Sequence, residues 1–162
     1  NISTIHFNST VNVSSFKDIF PSLDRGYAQV SVYLGDNVSM GSAAFIGCSY
    51  IKALDLGDSL KTIGSYAFST CTGLTSIVLP STITLIDECA FYGCKSLSNV
   101  TIGNSVRVIF DQAFLGCSID SIVCYPKVPP KIYKTFEKIN KIVVPTGYEE
   151  AYANSDWGKY LE

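Results

Sequence analysis

The chain has 162 residues, of which 47% are hydrophobic and only 16% charged, with a formal net charge of −2. Globular chains carry about 25% charged residues, so polar positions here fall to Ser, Thr, Asn and Gly, and the charge balance excludes nucleic acid or an anionic membrane as an obvious electrostatic partner. No run of 18 apolar residues occurs, so no segment is expected to enter a membrane. The chain starts at Asn1 without an initiator Met or an apolar leader, as expected of a trimmed mature protein or a fragment.

Residues 1–29 read as a degenerate N-terminal coil or cap. Phe16 and Ile19 hold a spacing that recurs later, and the 29-residue step from Phe16 to Phe45 predicts an insertion around Asp24 to Ala28. From residue 30 to 124 the chain is a repeat array. Ala44-Phe45, Ala67-Phe68, Ala90-Phe91 and Ala113-Phe114 are each followed three residues after the Phe by a cysteine, and the copies lie 23 residues apart. A fixed period of this length marks a solenoid, whose coils cannot bury a hydrophobic face alone and stack to share one core.

Each coil is expected to open on a short strand. Leu54/Leu56, Ile77/Leu79, Val100/Ile102 and Ile122/Cys124 alternate as a strand with one buried face should. A turn follows at Gly57-Asp58, Pro80-Ser81 or Gly103-Asn104, and Pro80 cannot donate to a ladder, so the strand before it ends there. A second apolar pair comes next: Leu60/Ile63, Ile83/Ile86 or Val106/Ile109. The Ala-Phe segment, 65–70 in one coil, is too short for an ordinary α-helix and predicts a single helical turn that drops the ring inward. Rings from successive coils should then stack about 5 Å apart. One residue fewer between Leu34 and Ala44 than between Leu56 and Ala67 predicts a tightened turn.

Residues 125–162 hold a degenerate final coil, with Thr135-Phe136 and Ile142-Val143-Val144-Pro145 echoing the array, and then a cap. Tyr148, Ala151, Tyr152 and Trp157 give that cap its weight, with Tyr148 and Tyr152 on one helical face.

The string Ile-Gly-x-x-Ala-Phe-x-x-Cys-x-x-Leu-x-x-Ile-x-Leu-Pro, from Ile63 to Pro80, closely resembles the BspA-like leucine-rich repeat, and the tail from Ile142 to Trp157 looks like the ending such proteins carry. The resemblance implies a β-rich leucine-rich-repeat solenoid: a right-handed coil of about six turns with short strands, single helical turns and a C-terminal helical cap. It also implies a bacterial, extracellular or cell-surface setting. The expected role is a non-catalytic protein-interaction or adhesion module for a host matrix, host cell or other cell surface. A glycan-binding or spacer module of a larger surface protein is the alternative.

Four of the six cysteines, Cys48, Cys71, Cys94 and Cys117, share one repeat position, while Cys89 and Cys124 fall elsewhere in the repeat. A column of equivalent residues has no reason to pair two by two, so a reduced thiol ladder is expected over disulfides. The spacings Cys89/Cys94 and Cys117/Cys124, without a convergent His, do not suit zinc, and no cofactor is expected. Catalysis finds no constellation either. His6 is the only histidine, adjacent Asp87-Glu88 and Glu149-Glu150 point apart, and no nucleotide or nucleophile-elbow motif occurs. The lysines from Lys127 to Lys141 lack interleaved aromatics and read as a solvated face.

The binding expectation rests on outward columns. Tyr33, Asp55, Val78, Thr101 and Val123 form a stripe on the first strands, and Lys61, Thr84 and Arg107 flank the second. Tyr33, Val78, Leu85, Val108 and Val123 together predict an exposed apolar patch of the kind that marks contact sites. Tyr33, Tyr66 and Tyr92 are the candidate glycan platforms.

Overall fold

The computed structural model describes residues 4–7, 12–13, 29–35 and 38–161. Phe16, Ile19, the insertion at 24–28 and residues 36–37 of the tightened turn lie outside the described residues. The described chain forms a strand-rich solenoid of about 5 turns with little helix. First strands are β1 (Thr4–Phe7), β3 (Val30–Leu34), β5 (Ile51–Asp55), β7 (Ser76–Val78), β9 (Asn99–Ile102), β11 (Ser121–Cys124) and β13 (Lys141–Val143). Second strands, of two residues each, are β2 (Asn12–Val13), β4 (Ser39–Met40), β6 (Thr62–Ile63), β8 (Leu85–Ile86), β10 (Val108–Ile109) and β12 (Lys131–Ile132). All pairings are parallel, and each second strand pairs only with second strands.

Alternation along the first strands sets the core. Ile77, Val100 and Ile122 align in register and are buried, while Val78, Thr101 and Val123 between the inward positions face out. Leu54 departs from the expected burial. Ile51 lies opposite Val30 but Ala53 lies opposite Ser31, so Lys52 is an extra residue, the strand bends, and Ile51 is buried where Leu54 is only half-buried. The first-strand ladder is also split here: β1-β3-β5 form one sheet and β13-β11-β9-β7 another. At this break the chain passes close to itself, since a Cβ on Gly73 would collide with the carbonyl oxygens of Ser49 and Ile51.

The phenyl column is continuous. Phe45, Phe68, Phe91, Phe114 and Phe136 stack with centroid distances of 5.1, 5.4, 5.0 and 5.3 Å and interplanar angles of 13°, 13°, 7° and 12°. Phe7 meets Phe45 edge-on, at 6.5 Å and 81°. Offset stacking at this spacing is the arrangement that aromatic quadrupoles favour, and it is close to the usual spacing of paired strands.

The Ala-Phe segments are not helical turns. Each is a run of hydrogen-bonded turns bracketed by two residues with positive φ: Ala43, Tyr66, Cys89 and Gln112 before the Ala-Phe pair, and Gly47, Thr70, Gly93 and Gly116 after it. Left-handed residues break a helix, and here they aim alternate amides along the solenoid axis. The Phe45, Phe68 and Phe91 amides donate to the carbonyls of Ala67, Ala90 and Ala113 at 2.7–2.8 Å, making a third ladder without strands. Thr70 is the misfit in its column, since a β-branched side chain at φ 56° is strained where its equivalents are glycine. Thr70→Gly is expected to stabilise the fold by about 1 kcal/mol, even though it loses the Thr70 hydroxyl bond to the Ser69 carbonyl. A melting temperature no higher than that of the parent would contradict this.

All six cysteines are free and buried. Three of the four column thiols make the same bond: Cys71, Cys94 and Cys117 donate Sγ–H at 3.1 Å to the carbonyl of Phe45, Phe68 or Phe91 in the preceding coil. Those carbonyls already accept the amide of the cysteine in their own coil. The thiol thus fills the second lone pair of a buried oxygen, which Ala cannot do. Burial pushes the Cys124 thiol up to about 12, and Cys117 is raised by the neighbouring Cys94 thiol first and by burial second. The folded chain therefore holds these protons to higher pH than the unfolded chain does. Stability is complete below the unfolded thiol range near pH ~8.5 and is lost as pH rises through it toward about 12. Melting temperature should fall between pH 8 and pH 11, with native thiols silent to a maleimide at pH 8 and all six titrating in denaturant. Rapid native labelling would refute the buried ladder.

Helix α1 (Glu149–Ala153) and a 3-10 turn at Gly158–Tyr160 close the C-terminal end. The helix is short, and aromatic side chains do the fastening. Tyr152 and Trp157 are fully buried, the Tyr152 hydroxyl donates to the Pro126 carbonyl at 2.9 Å, and Trp157 Nε1 donates to Pro130 at 2.8 Å. Trp157 and Tyr160 lie 5.6 and 5.8 Å from the Phe136 ring, at steep angles that end the stack.

Candidate functional site

The expected site residues divide between two sheets. Tyr33 is exposed on β3 and stacks on His6 of the edge strand β1, with centroids 4.7 Å apart. Asp55 is exposed on β5, and its carboxylate accepts the Gly57 amide at 2.9 Å, so it shapes its own turn. Val78, Thr101 and Val123 lie in register on the second sheet; Val78 is 64% exposed and the other two are half-buried. Val143 on β13 extends this column.

Lys61, Thr84 and Arg107 precede the second strands. The Thr84 amide and hydroxyl donate to the Lys61 carbonyl at 2.8 and 3.1 Å, and the Arg107 amide donates to the Thr84 carbonyl at 2.9 Å, so backbone ties align the column. Lys61 and Arg107 are exposed and Thr84 is half-buried. The expected five-membered apolar patch is not continuous. Tyr33 and Val78 are exposed in different sheets, whereas Leu85, Val108 and Val123 are half-buried, the first two among the second strands. The three tyrosines do not gather either: Tyr33 lies on a first strand, while Tyr66 and Tyr92 sit at different places in the Phe-bearing turns.

The structure joins part of the stripe into something larger. Val78, Thr101 and Arg107 line an open groove of about 1050 Å³ on the flank where first strands hand over to second strands. Its floor includes Leu79, Gly103 and Val106. Gly103 permits this floor: a Cβ there would lie 2.5 Å from the Leu79 carbonyl oxygen and 2.6 Å from that of Pro80. Tyr125, Pro126, Lys127, Val128 and Pro129 form the far wall. Val128 is 80% exposed and Tyr125 58%. These wall residues are the ones that sequence reasoning missed, although the run Tyr125-Pro-Lys-Val-Pro-Pro130 departs visibly from the repeat.

Arg107 and Lys127 are the ionisable cations of the groove, and no carboxylate lines it among the described residues. Lys127 Nζ rests 5.9 Å from the Tyr148 ring centroid. No cluster of His, Cys, Asp or Glu able to hold a metal occurs among the described residues. No helix among them is long and apolar enough to cross a membrane. Asp87 accepts the Glu88 amide at 2.8 Å, while Glu149 and Glu150 occupy the first turn of α1, where the helix dipole favours them.

Parallel coils around a stacked aromatic spine, with an open groove on one flank, define a leucine-rich-repeat scaffold. The model of the BspA-type leucine-rich repeat region matches residues 29–143 in 6 copies, and the chain belongs to that family. Among solved structures, a leucine-rich cell surface protein from Faecalibacterium prausnitzii A2-165 is similar, with a TM-score of 0.59 and 25% identity. The alignment covers 80% of this chain and 30% of that one. A comparison with curated proteins finds no match.

Proposed function

We propose that this chain is a non-catalytic, surface-displayed interaction module that contacts a protein of a host matrix, a host cell or another cell through its groove flank. The observation that carries this reading is the meeting of exposed Val78 with Thr101, Arg107 and the Tyr125–Pro129 wall around one open concavity. Exposed apolar side chains around a concavity with a few polar groups are the usual make-up of a contact site. Membership of the BspA-type family and likeness to a cell surface protein support the setting. For glycan, the aromatic platforms are poorly placed, since Tyr33, Tyr66 and Tyr92 stand apart.

The test is an array of matrix proteins and glycans probed with the purified chain and with a variant carrying Lys61→Glu, Val78→Asp and Arg107→Glu. These positions are exposed, so the variant should melt within a few degrees of the parent. Loss of a protein signal in the folded variant is the expected result. Undiminished binding would move the site elsewhere, and a glycan-only signal would replace the reading.

A further inference from the structure

We propose that the groove receives an extended acidic segment of a partner protein, with a carboxylate held at Arg107 and a neighbouring aliphatic side chain set between Val78 and Val128. This rests on the interaction reading above and gives it a ligand chemistry.

The first observation is the shape of the wall. The pairing of Cys124 with Ile102 and of Lys131 with Val108 holds the strands of the two coils in register. Six residues, 125–130, join β11 to β12, where five, 103–107, join β9 to β10. With both ends fixed, the extra residue has nowhere to go but outward. Val128 stands in this longer loop, 80% exposed, against the groove.

The second observation is that this wall is clamped. Pro126, Pro129 and Pro130 restrict the loop backbone, and the cap grips its two ends, with Tyr152 on the Pro126 carbonyl and Trp157 on the Pro130 carbonyl. Both donors are fully buried. A wall set in advance loses little freedom when a ligand arrives, which favours binding of a short flexible segment.

The third observation is charge. Arg107 and Lys127 line the groove and no described carboxylate does, while the nearest stripe carboxylate, Asp55, is turned to the Gly57 amide. A guanidinium at the edge of an apolar trough suits a carboxylate through paired N–H donors. Three valines, three prolines and Leu79 supply the apolar part of the lining, and Tyr125 is its single aromatic ring. That favours an aliphatic peptide over a sugar, which would want stacking platforms, and over nucleic acid, which would want more cations and interleaved rings.

The experiment pans a displayed library of random ten-residue peptides on the immobilised chain and measures fluorescein-labelled copies of the enriched sequences in solution. The expected consensus holds Asp or Glu beside Val, Ile or Leu. Arg107→Glu should weaken such peptides about tenfold or more without lowering the melting temperature. Tyr152→Phe, which keeps the ring and removes only the hydroxyl bond to Pro126, should weaken them several-fold in a folded chain. A neutral or basic consensus, binding indifferent to Arg107→Glu, or capture of sulfated glycans in place of acidic peptides would overturn the proposal. So would an absence of enrichment. In that last case, a matrix protein retained on the array would leave the interaction reading standing, and its absence there would bring down both.

Discussion

Phe91→Ala is expected to cost about 3–5 kcal/mol and to lower the melting temperature by roughly 10 °C. Phe91 is the middle ring of the described stack, fully buried, with Phe68 at 5.4 Å on one side and Phe114 at 5.0 Å on the other. Removing it takes away the transfer energy of a phenyl group and leaves two facing rings bordering a void. The coils cannot close that void, because three parallel ladders hold them at a fixed rise. Phe110→Ala provides the contrast: Phe110 is half-buried and stacks at 5.5 Å on exposed Tyr133 outside the core, so its loss should be felt far less. Equal melting shifts for the two variants would show that the spine does not carry the fold in the way its geometry implies.

A chain stopped at Pro145 should aggregate rather than remain a soluble monomer, as read by size-exclusion chromatography. The truncation removes Tyr152 and Trp157, both fully buried, and uncovers the Phe136 ring. It also leaves the Pro126 and Pro130 carbonyls without their donors and opens the end of the stack to other chains. Uncapped repeat arrays expose core and unpaired backbone together, which is the condition for edge-to-edge association. Trp157→Ala separates the two effects, since it leaves the helix in place while losing a ring and one anchoring hydrogen bond. A monodisperse, soluble truncation with native melting would refute the capping role.

The legible part of this protein was the part that repeats. Four Ala-Phe pairs with a following cysteine at constant spacing announced stacked coils, and Phe136 could be added to the spine from a degenerate copy. Alternation at Ile77/Leu79 and Val100/Ile102 placed the buried faces of the strands. The aromatic tail signalled a cap, although its hold comes from three side-chain donors, Tyr152, Trp157 and Tyr160, more than from its short helix. The helical turns expected at the phenylalanines were wrong because a propensity argument does not register that Ala43, Tyr66, Cys89 and Gln112 take left-handed backbone. Only hydrogen bonds to the next coil reward that conformation, and they are not local.

The periodic residues by themselves determined the family, the phenyl spine and the buried thiol column, because a coil that packs against copies of itself writes the same requirement at every twenty-third position. Tertiary structure alone decided which part of the outward stripe could become a site. It split the first-strand ladder beside Lys52 and set the longer 125–130 loop along the groove opposite Val78 and Arg107. It then fixed that loop with residues 26 and 27 positions away. A groove is a difference in height between turns of separate coils, and such a difference exists only once ladders have set the coils in register and the cap has taken hold.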